Sequence, residues 1–164
     1  MYTDLIKLQT KERKKYYEET DTYHMLAVDA RKTEWVKTIA AQNAIVVLEG
    51  ISMYFKPEEM QHLLKALKEH FSTVKILMDC YTVRAAKASK YKNPVNDVGV
   101  TCVYGIDAPE IFENSTGMVF VKEHDITPVH MINQLKNLER MAFKFIFGGK
   151  IAKGMYRMYE YQKK

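Results

Sequence analysis

Three apolar runs in this chain each end in an acid. Tyr23–Val28 stops at Asp29, Ala44–Leu48 at Glu49 and Val74–Met78 at Asp79. Carboxylates at the rim of a partly dry pocket favour a cationic ligand, or one that offers amino and hydroxyl donors. Each acid also has a plainer reading. Glu49 could cap a nearby helix, Asp29 could cap the segment starting at Thr33, and Asp79-Cys80-Tyr81 could be ordinary turn chemistry. Gly50 follows Glu49 and supplies backbone angles that other residues avoid. Tyr54 and Tyr81 stand just beyond the second and third acids. His124 and Asp125 are neighbours on a strand-like run and so point to opposite faces, which keeps them from acting together as a base. His62 and His70 fall on the solvent flank of a helix. Cys80 and Cys102 have no metal-ligand spacing and read as reduced, interior thiols; no ligand set for a metal is legible.

The acids need strands to carry them. The central stretch is Asn43 to Phe71. Ala44–Leu48 is rich in β-branched residues, the pattern of a strand buried on both faces of a parallel sheet. Pro57 then opens a helix at a position where its missing N–H costs nothing, and Glu58 and Glu59 suit the positive end of the helix dipole. Met60, Leu63, Leu64, Leu67 and Phe71 recur on one helical face. Strand, acidic tip and amphipathic helix make half of a βαβ unit, and ligands of open α/β sheets bind at the strands' C-terminal ends.

The same logic predicts a helix over 4–19, a strand over 23–28, a short helix over 33–41 and a third strand over 74–78. It continues with a helix over 82–91, an irregular stretch over 95–117, a strand over 118–122 and a long helix over 127–145. A loop at Gly148-Gly149 and a period-2 strand over 155–162 close the chain. The expected class is α/β, one domain over 1–164 with no repeat or linker.

At 164 residues, 47% apolar and 12% aromatic, the chain can bury one core. No apolar run approaches the ~20 residues of a membrane helix, and the first residues lack a signal-peptide core. A cytoplasmic, membrane-free protein is expected. The net charge of +5 is spread along helix faces rather than interleaved with aromatic residues, so no nucleic-acid partner is expected.

The segments AIVVLEGISMYF, YHMLAVDAR, LMDCYT and VYGIDAPEIF together resemble the leucine carboxyl methyltransferase family, nearest the polyketide-synthesis type O-methyltransferases. The resemblance runs over essentially the whole chain. It implies a Rossmann-like class I methyltransferase sheet with an antiparallel C-terminal strand, S-adenosylmethionine as cofactor, and methyl transfer to a hydroxyl or carboxylate oxygen. The acceptor is then a small molecule or a protein C-terminal carboxylate. On this likeness Asp29 and Ala30 contact the adenine end of the cofactor, Glu49 with Gly50 lines its methionine part, and Tyr54, joined by Tyr81, lies on the substrate side. No catalytic residue is implied. The family opens with a strand and glycine-rich loop and a second strand, and neither is matched here: no glycine precedes Gly50. The expected sheet is therefore incomplete at its N-terminal half, the C-terminal portion of a methyltransferase domain. Alone, it is expected to bind cofactor poorly or not at all. The rival expectation is a non-catalytic module that self-associates through the exposed sheet edge.

Overall fold

The computed structural model describes residues 16–89, 103–126, 128–147 and 154–164. Strand β1 (Asn43–Leu48) leads through a short 3-10 turn, Ser52–Tyr54, into helix α1 (Pro57–His70), which returns to strand β2 (Thr73–Tyr81). β1 and β2 are parallel, with Val46 opposite Ile76, so this segment is the expected βαβ unit. The Glu59 carboxylate accepts the Lys56 N–H at 2.9 Å and closes the helix start.

Helices α2 (Val83–Ser89) and α3 (Glu110–Thr116) follow, then β3 (Met118–His124), α4 (Val129–Ile132), α5 (Asn137–Phe147) and β4 (Tyr156–Lys163). The sheet order is β1-β2-β4-β3, with β4 antiparallel to both neighbours. One face of α1 supplies Met60, Leu63, Leu64 and Leu67, and they pack with Phe71, Val74, Ile76, Met78, Phe112, Met118, Tyr159 and Tyr161 in one core. The Lys68 ammonium donates to the Gly117 carbonyl at 2.8 Å and the Lys163 ammonium to that of Phe71 at 2.8 Å, closing the core's end.

Several expectations are corrected. Residues 23–28 form no strand. The chain there is irregular, with a single bridge between Thr20 and Tyr23, because no described strand lies beside it to accept its backbone bonds. Tyr23 and Leu26 are exposed. Residues 16–19 are not helical, and the rest of the expected first helix lies outside the described residues, as does Cys102. The 33–41 segment is a 3-10 helix, Thr33–Thr38. β1 is buried on one face only: Leu48 is buried, whereas Ile45 and Val47 are 74% and 60% exposed. With no described strand on its outer side, β1 is an edge.

The irregular stretch holds α3, which ends at Gly117 in the left-handed conformation (φ +67°). The long helix is broken into α4 and α5 by a turn after Ile132, where the Arg140 guanidinium donates to the carbonyls of Asn133 and Leu135. His70 is no bystander: its Nε2 donates to the Ile39 carbonyl at 2.7 Å and ties the 3-10 segment to α1. Cys80 is a free, fully buried thiol, and burial pushes it up to about 12. Among the described residues no helix is long and apolar enough to cross a membrane.

Leu64 is fully buried, while Leu138 is 86% exposed. In urea denaturation, Leu64→Ala is expected to cost about 2–5 kcal/mol and Leu138→Ala less than about 0.5 kcal/mol. Equal losses would contradict this placement of the core.

Candidate active site

The site forms where β1 and β2 end. Glu49 closes β1 with its side chain in solvent, and Gly50 turns the chain with φ +68°. A Cβ added to Gly50 would meet nothing within 4 Å, so the space over this turn is open. Asp79, at the end of β2, lies beneath it and is only 5% exposed. Its Oδ2 accepts the Gly50 N–H at 2.8 Å and the Tyr156 phenol at 3.0 Å. The Ser52 hydroxyl donates to the Asp79 backbone carbonyl. Oδ1 of the same carboxylate is buried and has no hydrogen-bond partner. Desolvation raises the Asp79 carboxyl above the usual range, opposed by the bonds from Gly50 and Tyr156.

Tyr156, which bonds this carboxylate, has two further tyrosines beside it. Tyr156 is opposite Tyr81 in the β2–β4 ladder, and their rings meet edge-on with centroids 5.0 Å apart. Burial raises the Tyr156 phenol well above its ordinary value, reinforced by the charge of Asp79 and by Tyr81 and Tyr54 nearby. Tyr54 itself is half-buried on the 3-10 turn.

Residues 103–107 lie over the end of β2. The Tyr104 N–H donates to the Met53 carbonyl at 2.8 Å and the Ile106 N–H to that of Tyr81 at 2.7 Å. Gly105 is required here for close approach, since a Cβ would sit 2.4 Å from the Thr82 carbonyl oxygen. Asp107 accepts the Val83 N–H at 3.0 Å and caps α2, while the Tyr161 hydroxyl reaches the Pro109 carbonyl at 3.0 Å. The GID-x-P segment thus braces the strand tips through backbone bonds.

Of the three acids, the structure joins two. Glu49 and Asp79 are linked through the Gly50 amide, and Glu49 is close enough to act on the Asp79 carboxyl electrostatically. Asp29 is held within its own turn. Its Oδ1 accepts from the backbone and Nε of Arg31 at 3.1 and 2.9 Å, and its Oδ2 accepts from the guanidinium at 2.7 Å. Those bonds hold its carboxyl below the usual value. Ala30 beside it packs against the core. His124 pairs with Glu160 at 2.6 Å. A groove of about 660 Å³ lies elsewhere, between the Thr33–Thr38 segment and α1, lined by Val36, Lys37, Glu58, His62 and Glu69. Among the described residues no cluster of three metal-ligating side chains occurs. Sequence reasoning missed Tyr156 and Ser52; an alternating strand pattern says which face a tyrosine takes, not which carboxylate its hydroxyl reaches.

Two tests follow from this geometry. Gly105→Ala forces a methyl against backbone, and an overpacking loss of about 1–3 kcal/mol is expected; unchanged urea stability would contradict the close approach. Asp79 has a raised native pKa, so its contribution to stability is full below the unfolded value of about 3.9 and is lost as pH rises through the native one. Asp79→Asn should flatten that decline from about pH 4 upward, and parallel stability curves for variant and parent would contradict it.

No family model matches the chain. A stretch of 103 residues, 62% of this chain, is 26% identical to the tetracenomycin polyketide synthesis O-methyltransferase TcmP of Streptomyces glaucescens and covers 38% of that protein. In three dimensions the chain is similar to magnesium protoporphyrin IX methyltransferase (ChlM) from Synechocystis PCC 6803, solved with bound SAH. The TM-score is 0.50 at 7% identity, over 97% of this chain and 59% of that one. The chain spans less than two thirds of the length of either. The fold is α/β, that of a class I methyltransferase sheet, open among the described residues with β1 and β3 at its two edges.

Proposed function

We propose that this chain carries the strand-tip portion of an S-adenosylmethionine-dependent O-methyltransferase of the polyketide-synthesis type, within the wider leucine carboxyl methyltransferase family. The observation that carries this reading is the identity to TcmP over 103 residues, and the geometry of the Glu49–Gly50 tip supports it. Two features of that tip fit a cofactor. Gly50 leaves open space above a turn whose amide is held from below by Asp79. Glu49 sets a carboxylate beside it in solvent, and a negative charge there attracts a positively charged ligand.

Glu49 and Gly50 would hold the methionine part, and Asp29 and Ala30 the adenine end. Arg31 makes three bonds to the Asp29 carboxylate, which leaves about one of its roughly four acceptor positions for an amino group. Tyr54 and Tyr81 would face the substrate, with Tyr156 as a third wall that keeps water from the reacting centre. When bound, S-adenosylmethionine supplies a methyl group on a cationic sulfur, open to direct displacement by an oxygen nucleophile. The chain's own task is then alignment, which can supply much of such a rate. A carboxylate acceptor needs no base; a hydroxyl acceptor does. The free thiol of Cys80 accords with a cytoplasmic setting.

The test is a titration of the ¹⁵N-labelled chain with S-adenosylmethionine, followed by NMR. Amide shifts are expected at Glu49 to Tyr54 with a dissociation constant on the order of 1 mM, and Glu49→Gln should weaken them. Absence of shifts at millimolar cofactor would overturn the proposal. So would shifts confined to the groove beside α1, or shifts indifferent to Glu49→Gln.

A further inference from the structure

The buried carboxylate at the strand tips has a proton chemistry that its anchoring role does not use. Asp79 Oδ2 accepts the Gly50 N–H at 2.8 Å and the Tyr156 hydroxyl at 3.0 Å, whereas Oδ1 is buried with no partner. An ionised carboxylate offers about four acceptor positions, and the side chain has donors only at Oδ2. A buried charge so short of donors is stabilised by taking up a proton. Tyr156 has the matching property. Its O–H is engaged by Asp79, while its oxygen lone pairs receive no donor among the described residues.

We propose that Tyr156 and Asp79 form a proton relay for an acceptor hydroxyl: the acceptor donates to the Tyr156 oxygen, Tyr156 donates to Asp79, and the acceptor is a phenol. The relay rests on the methyl-transfer reading and supplies the base that a hydroxyl acceptor needs. As the acceptor oxygen bonds to the methyl carbon, the carbon–sulfur bond breaks and its electron pair stays on sulfur. The acceptor's proton passes to the Tyr156 oxygen, and the proton that Tyr156 held passes to Asp79 Oδ2. The sulfur loses its positive charge and the carboxylate its negative one, so the step balances. Oδ2 then donates back to Tyr156 and still accepts from Gly50, and the tip keeps its anchor.

Tyr156 alone is a poor base, because burial and the Asp79 charge both disfavour its phenolate. The proton therefore goes on to Asp79, whose carboxyl is lifted above the usual range by burial. A phenol suits this base better than an alcohol, since a phenolic O–H ionises at about 10, far below an aliphatic hydroxyl. A carboxylate acceptor would instead set a third negative charge beside Glu49 and Asp79. The Tyr81 ring, edge-on to Tyr156 with centroids 5.0 Å apart, gives an aromatic acceptor a ring to pack against.

The experiment follows the Asp79 side-chain carboxyl carbon by NMR through a pH titration of the full chain labelled with ¹³C-aspartate. It is run alone, with millimolar 4-fluorophenol and with millimolar 4-fluoroanisole, and needs no cofactor. A hydroxyl bonded to Tyr156 strengthens the bond from Tyr156 to the ionised carboxylate. The phenol is therefore expected to lower the Asp79 midpoint by about half a pH unit, roughly a threefold change in proton affinity. The anisole has no O–H and should not lower it, and Tyr156→Phe should abolish the difference. Should that variant unfold, the two probes on the parent chain decide alone. Glu49 and Cys80 also face Asp79, and Tyr54 and Tyr81 face Tyr156; Glu49→Gln should leave the phenol effect in place. Equal responses to the two probes, or no response to the phenol, would overturn the proposal. A phenol effect that survives Tyr156→Phe, or one lost in Glu49→Gln, would overturn it equally. Absence of S-adenosylmethionine shifts at the tip removes the methyl-transfer reading and the relay with it, whereas a failed titration beside intact cofactor shifts overturns the relay alone.

Discussion

A single buried carboxylate holds the working end of this fold together. Asp79 takes the Gly50 amide from the tip of β1 and the Tyr156 hydroxyl from β4, and its backbone carbonyl takes the Ser52 hydroxyl. Two segments far apart in sequence, Gly50–Ser52 and the start of β4, converge on one residue that is 5% exposed. A carboxylate so placed loses hydration, which raises its pKa, and its hydrogen bonds offset part of that cost. The gain is positional. Gly50 is fixed in a left-handed turn that leaves Glu49 in solvent at the strand end. Without that anchor the turn would depend on a residue type that favours many backbone conformations.

Much of the scaffold under this site was legible in the residues. The five-residue apolar stripe from Met60 to Phe71 has a spacing that only a helix satisfies, and Pro57 marks its start, so α1 and its flanking parallel strands follow from local pattern. The alternation at the C-terminus likewise yields β4. Elsewhere the deciding information is not local. Residues 23–28 are apolar enough for a strand, yet a strand exists only with a neighbour, and no described strand supplies one. Pro109 and Gly117 lie within the stretch over 95–117 expected to be irregular, yet they punctuate the two ends of α3, Pro109 as its N-cap and Gly117 as its C-cap. The long helix predicted over 127–145 gives way where Arg140 turns back to cap the carbonyls of Asn133 and Leu135.

The site divides in the same manner. Glu49-Gly50 is recognisable because an acid and a glycine after an apolar run form a local signature. The role of Asp79 is set by partners 29 and 77 positions away, and no window of sequence contains them. Asp29 shows the converse. Its sequence setting matches that of Glu49, but Arg31, two residues on, engages it through three bonds. Acids in matching sequence settings therefore differ in what remains free to meet a ligand. The same contrast applies to β1, whose composition suits burial on both faces while no described element covers Ile45 and Val47.

The account stands on the bond from Tyr156 to Asp79 as the link between the β1 tip and β4. A double-mutant cycle in urea denaturation, using Asp79→Ala, Tyr156→Phe and the pair, measures that link directly. The losses are expected to fall short of additive by about 0.5–3 kcal/mol, the range for residues that share a hydrogen-bond network. Strict additivity would mean that the two side chains act independently, and that the tip is held by something else.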